Sequence, residues 1–149
     1  MMKKTLTILS LLTSLTCFAN ENAVLNTTPI QDINKSLANS LRCWNNGDLK
    51  CFMDALYVKS DKTLFISGTK FIYGWQNSYN HYKEKYGDSK SNMGQLKVTL
   101  DEVKLLDNNH AFAYGRYHLQ VGSKVYNGVT SLLFLKSTGQ WKVMVDHSS

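Results

Sequence analysis

Apolar residues recur along this chain first at helical spacing and later at strand spacing. Ile30, Ile33, Leu37, Leu41 and Trp44 follow one another at intervals of three or four, which draws one apolar stripe along a helix. Thr28-Pro29-Ile30-Gln31 supplies its start. Thr28 can cap, Pro29 suits a first-turn position where no amide is needed, and Gln31 completes a capping box. Asn46-Gly47 stops the helix, and Asp48 caps a shorter one carrying Leu49, Phe52, Met53 and Leu56. Thr63 to Ser67 is a short β-rich run ended by Gly68. A third helix is predicted from Trp75 to Tyr86, with Trp75, Tyr79, Tyr82 and Tyr86 on one face and Gly87 as its stop.

From Gln95 the period changes to two. Leu96, Val98 and Leu100 alternate, but the next apolar residues are Val103 and Leu105, so the parity switches and a bulge is predicted near Asp101-Glu102. Asp107-Asn108-Asn109 turns the chain into a strand from Ala111 to Val121, and Gly122-Ser123 fits a two-residue hairpin turn. Lys124 to Lys136 and Gln140 to His147 are the last two strands, separated by Ser137-Thr138-Gly139. Helices followed by an antiparallel meander indicate one α+β domain with the helices on one face of the sheet.

The first residues change the reading of charge. Met1-Met2-Lys3-Lys4 is a positive leader and Thr5 to Thr16 an uncharged apolar stretch. Cys17-Phe18-Ala19 then fits a signal-peptidase site, so residues 1–19 read as an export signal. A lipoprotein anchored through Cys17 is the less favoured alternative, because Leu15 and Thr16 fit that pattern poorly. Cleavage after Ala19 leaves a short segment, 20–28, and the domain proper, 29–149. The formal charge falls from +6 to +4 with the loss of Lys3 and Lys4. The remaining lysines are dispersed, and no nucleic-acid partner is expected. The mature protein is expected in the periplasm or outside the cell, without a membrane segment. In that setting Cys43 and Cys51 are expected to form a disulfide, two buried thiols being the alternative.

Several local signatures resemble the nuclear transport factor 2-like superfamily, in its SnoaL-like and ketosteroid-isomerase-like branch. They are Trp44-Asn45-Asn46-Gly47-Asp48, Ile66-Ser67-Gly68, Gly74-Trp75, Ala113-Tyr114-Gly115-Arg116, Gly139-Gln140-Trp141-Lys142-Val143, and Asp146-His147-Ser148-Ser149. In order, they span almost the whole of the mature chain. The resemblance implies a cystatin-like cone, with N-terminal helices packed on a curved antiparallel sheet, a pocket at the open end and dimerisation through the sheet. The family's steroid isomerases need a carboxylate base, whose position here falls near Ile66, and a tyrosine donor, whose position falls near Ser40. An aliphatic side chain accepts no proton, so the resemblance does not extend to that mechanism.

Fold leaves function open, and side chains must supply it. Trp75, Tyr79 and Tyr82 on one helical face, with Tyr57 and Tyr117 from neighbouring elements, suggest an aromatic pocket for a small hydrophobic ligand. If the last strand alternates without interruption, His147 shares the inward parity of Trp141, Val143 and Val145, and it becomes the leading acid–base candidate while Asp146 points away. Its alternative role is a hydrogen-bonded histidine closing the sheet. Arg116 either clamps an anion in the pocket or, with His118, faces a dimer interface; the small residues Ala111, Ala113 and Gly115 on the opposite face favour the outward placement. There is no metal-ligand spacing and no phosphate loop, so neither metal nor cofactor is expected. The combined expectation is an exported, homodimeric ligand-binding or scaffold domain without catalysis. The alternatives are an isomerase, lyase or cyclase using His147, and an assembly domain using the sheet face around Arg116.

Overall fold

The Thr28 capping box closes as its sequence dictates. The Thr28 hydroxyl accepts the Gln31 amide at 3.2 Å, and the Gln31 side chain accepts the Thr28 amide at 2.8 Å. This opens helix α1 (Pro29–Asn45) in a computed structural model that describes residues 27–149. The export signal 1–19, Cys17 and most of segment 20–28 lie outside those residues. Ile33, Leu37 and Trp44 bury the predicted stripe. Helix α2 (Leu49–Leu56) starts with the Asp48 carboxylate accepting the Cys51 amide at 2.8 Å. The Cys43–Cys51 disulfide ties the two helices across a Cα separation of 5.4 Å.

The end of α1 is also fixed to the sheet. The Asn45 side chain accepts the Leu96 amide at 2.7 Å and donates to the Leu96 carbonyl at 3.1 Å, reproducing a ladder pair. The Trp44 indole N–H donates to the Met93 carbonyl at 3.0 Å. Gly47 then turns the chain at φ 81°, where a Cβ would stand 2.2 Å from the Lys90 amide nitrogen. Only glycine satisfies both the backbone sign and the close approach.

Six strands make one sheet in the order β2-β1-β6-β5-β4-β3. They are β1 (Leu64–Ser67), β2 (Lys70–Tyr73), β3 (Gln95–Leu105), β4 (His110–Val121), β5 (Lys124–Ser137) and β6 (Gln140–Ser148). All neighbours are antiparallel except β1 and β6. Helix α3 (Trp75–Tyr86) and the short helix α4 (Lys90–Met93) connect β2 to β3. Strand β2 and helix α4 are additions to the elements expected from the sequence, each only four residues long.

The bulge predicted near Asp101 is present: pairing passes from Leu100↔Gly115 to Glu102↔Tyr114. A second irregularity has no counterpart in the hydrophobic pattern. On β6 the register steps from Val143↔Phe134 to Val145↔Leu133, leaving Met144 unopposed. The sheet curves over the helices, and Ile33, Leu49, Met53, Phe134 and Val143 fill the closed end without measurable exposure. Among the described residues, no helix is long and apolar enough to cross a membrane.

Candidate functional site

Helices α1 to α3 and the inner face of the sheet enclose a cavity of about 110 Å³. Its walls are aromatic and aliphatic side chains. Trp44 meets Phe52 and Tyr86 edge-on, with ring centroids 4.9 and 5.1 Å apart, and Tyr82 lies 5.0 Å from Phe65. The exposed side chain of Lys85 borders the cavity, together with Ser67 and Ser148 at the adjoining ends of β1 and β6.

Among the described residues, one carboxyl group stands in this lining. Asp146 is 4% exposed. The Tyr57 hydroxyl donates to its Oδ2 at 2.5 Å, and the Ser148 hydroxyl donates to its Oδ1 at 2.8 Å. The Tyr82 hydroxyl lies 3.4 Å from that of Tyr57. Burial raises the Asp146 pKa above the ordinary carboxylate value, outweighing the hydroxyl donors that favour its charged form. Burial, followed by the Asp146 charge, pushes Tyr57 and Tyr82 well up, so both phenols remain protonated donors. This is a hydrogen-bonding centre able to orient a polar group inside an apolar chamber.

His81 lines the same cavity from α3. Its Nε2 is buried and has no hydrogen-bond partner among the described residues. Burial, then the Lys85 charge, lowers its pKa, which favours the neutral imidazole. Among the described residues, no three His, Cys, Asp or Glu side chains converge as a metal site requires.

The placement of the expected site residues is mixed. Tyr57 and Tyr117 line the cavity. His147 does not: it is exposed, and Asp146 takes the inward place. The cause is the bulge at Met144, which uses one residue without alternation and reverses the parity of the rest of β6. Trp75 and Tyr79 also stand outside the lining. They stack at 5.5 Å near the start of α3, with the Lys59 ammonium 4.8 Å over the indole. The four aromatics do share one helical face, but the cavity reaches only the C-terminal half of α3, where His81, Tyr82, Lys85 and Tyr86 stand.

Arg116 does not line this cavity. It points outward and pairs with Asp101 at 3.2 Å, because Ala111 and Ala113 on the opposite face of β4 pack without exposure against the interior. His118, also outward, pairs with Asn127 at 2.7 Å. Ile66 is absent from the lining, whereas its neighbour Phe65 is present. The residues that sequence reasoning missed are Asp146 and His81. The His81-Tyr82 and Lys85-Tyr86 pairs, four apart, carried a usable signal for the second.

No family model matches the chain, and no curated protein matches it. Solved structures do. A nuclear transport factor 2-like protein of unknown function from Shewanella oneidensis is 36% identical, with a TM-score of 0.77 over 82% of this chain and 99% of its own. A ketosteroid isomerase-like protein from Erwinia carotovora is 18% identical, with a TM-score of 0.57 over 80% of this chain and 93% of its own. A domain of unknown function with a cystatin-like fold from Nostoc punctiforme is 14% identical, with a TM-score of 0.66 over 83% of this chain and 78% of its own. The last two likenesses bear on fold alone.

Proposed function

Because the chain belongs to the nuclear transport factor 2-like superfamily, we propose that its cone holds a small, largely apolar ligand by one polar handle. The observation that carries this reading is the buried Asp146 carboxyl, bonded by the hydroxyls of Tyr57 and Ser148, with the Tyr82 hydroxyl beside that of Tyr57, inside an apolar wall rich in aromatic rings. Apolar walls provide affinity, and a few convergent polar groups provide orientation. The export pattern at the N-terminus and the Cys43–Cys51 disulfide both support action outside the cytoplasm. A panel of small apolar alcohols, amines and acids, screened by thermal shift, tests the reading. Stabilisation by a subset that disappears in Tyr57→Phe supports it; no stabilisation by any member counts against it.

A second reading is acid–base catalysis, with Asp146 rather than His147 as the proton acceptor. The raised pKa of a buried carboxyl that accepts from the Tyr57 hydroxyl favours it. Asp146→Asn would then abolish turnover of a bound substrate while leaving ligand affinity nearly unchanged. For oligomeric state, we propose a homodimer through the outer sheet face, where Phe112, Tyr114 and Val129 are exposed around Arg116.

A further inference from the structure

We propose that the handle is a cation: the cone takes a small organic ammonium ion whose charge meets Asp146 and whose body lies among the aromatic rings. The inference rests on the cone being a ligand site, and it names the chemistry of that ligand.

Among the described residues, Asp146 is the single acid lining the cavity, and its immediate partners are hydroxyls rather than cations. A carboxylate has about four acceptor positions. Tyr57 and Ser148 take one on each oxygen and Thr130 adds a third hydroxyl, so capacity for an incoming N–H remains. Hydroxyl donors spread the charge but do not neutralise it, and a buried carboxylate without a counter-charge is costly. An ammonium ion brings both the missing charge and several donors.

The surrounding rings suit the same guest. Aromatic faces attract cations, most strongly where water is excluded. The protein's own Lys85 ammonium already stands 5.1 Å over the Tyr86 ring, at the edge of the cavity. Size sets a further bound. The cavity of about 110 Å³ is smaller than the ~150 Å³ space that holds benzene in a dry apolar core. A branched body of four or five carbons fits.

The other groups facing this space have defined roles. Tyr57, which caps α2, and Tyr82 from α3 are neutral donors, and Tyr117 from β4 adds an aromatic wall. His81 is biased toward its neutral form and has a free Nε2. His147 follows Asp146 but is exposed. Among the described residues, Lys85 is the one lysine or arginine lining the cavity, and its ammonium opposes entry of a second cation.

The test uses three probes of nearly equal shape: isobutylammonium, isobutanol and isobutyrate. Binding is read at neutral pH from methyl chemical shifts of Leu37, Val98 and Leu132, which line the cavity. Isobutylammonium should bind at least tenfold tighter than isobutanol, and Asp146→Asn should remove that preference. Lys85→Ala should tighten the ammonium at least twofold and weaken isobutyrate. Methyl dispersion in each variant reports that the fold persists. Equal or tighter binding of the alcohol or the acid by the native protein overturns the cation assignment while leaving a ligand site standing. An ammonium affinity untouched by Asp146→Asn overturns it as well. If none of the three moves these methyls, the ligand site falls with it.

Discussion

The Tyr57 hydroxyl donates to Asp146 Oδ2 across 2.5 Å, although the two residues stand 89 positions apart in the chain. The bond joins the residue that caps α2 to the final strand, and the isolated bridge between Tyr57 and Val143 runs beside it. The polar centre of the cavity is therefore also a cross-link between the helical layer and the sheet. A group placed this way is expected to affect stability as well as any ligand.

Asp146 should destabilise the protein more as the pH rises. Its folded pKa lies above the ordinary value, so below about pH 3.9 both folded and unfolded chains carry the proton and it contributes no pH dependence. As the pH climbs through the window up to the raised pKa, the unfolded chain loses its proton first and stability falls. Asp146→Asn removes this term. The variant should gain on the native protein with rising pH in urea titrations run from about pH 3 to about pH 8. A difference that is flat in pH, or that grows toward acid, contradicts the assignment.

Replacing both cysteines by serine opens the loop between Cys43 and Cys51, which are eight residues apart. The loss of chain restriction costs about 2–3 kcal/mol. For a domain of this size that lowers the melting temperature by roughly 6–12 °C. Calorimetry of the oxidised native protein against the double variant measures it, and equal midpoints would show that the bridge adds nothing.

Gly128 lies beside Ser149, which continues the pairing of β6 with β5. Ser149 exchanges both backbone hydrogen bonds with Val129, at 2.9 and 3.1 Å. A Cβ on Gly128 would stand 2.0 Å from the Ser149 carbonyl oxygen and 2.6 Å from the Tyr117 ring. Gly128→Ala should therefore cost about 1–3 kcal/mol and speed exchange of the Val129 amide. Unchanged protection at that amide would contradict the tight fit.

Val129 is 52% exposed on the outer face of β5, directly opposite Arg116 of β4. A homodimer through this face predicts that Val129→Arg gives a monomer, since two such faces would bring like charges together. Light scattering coupled to gel filtration reads the mass of both forms. A native protein that runs as a monomer at high concentration removes the proposal.

Local chemistry carried most of the fold. The Thr28 box, the Asn46-Gly47 stop, the Asp101 bulge and the hairpin at Gly122-Ser123 each follow from a few adjacent residues. The site was less legible because its decisive feature is not local. Met144 is as compatible with alternation as with a bulge, and the choice depends on how Leu133 and Phe134 of a neighbouring strand pair with it. Likewise, periodicity placed Trp75 and Tyr82 on one face of α3, but not how far along the helix the cavity extends. Arg116 was decided by its neighbours: small residues at 111 and 113 let that face of β4 pack inward.

The Met144 bulge also bears on how such a pocket can diverge. Asp146 and His147 are consecutive, and the register of β6 alone selects which of them the cavity receives. A descendant whose substitutions near Leu133 or Met144 ironed out the bulge would present an imidazole where this protein presents a carboxyl. Both side chains would remain unchanged in its sequence. In this lineage the chemistry of the cone can be inherited as a strand register, and comparison of aligned residues alone would not reveal the switch.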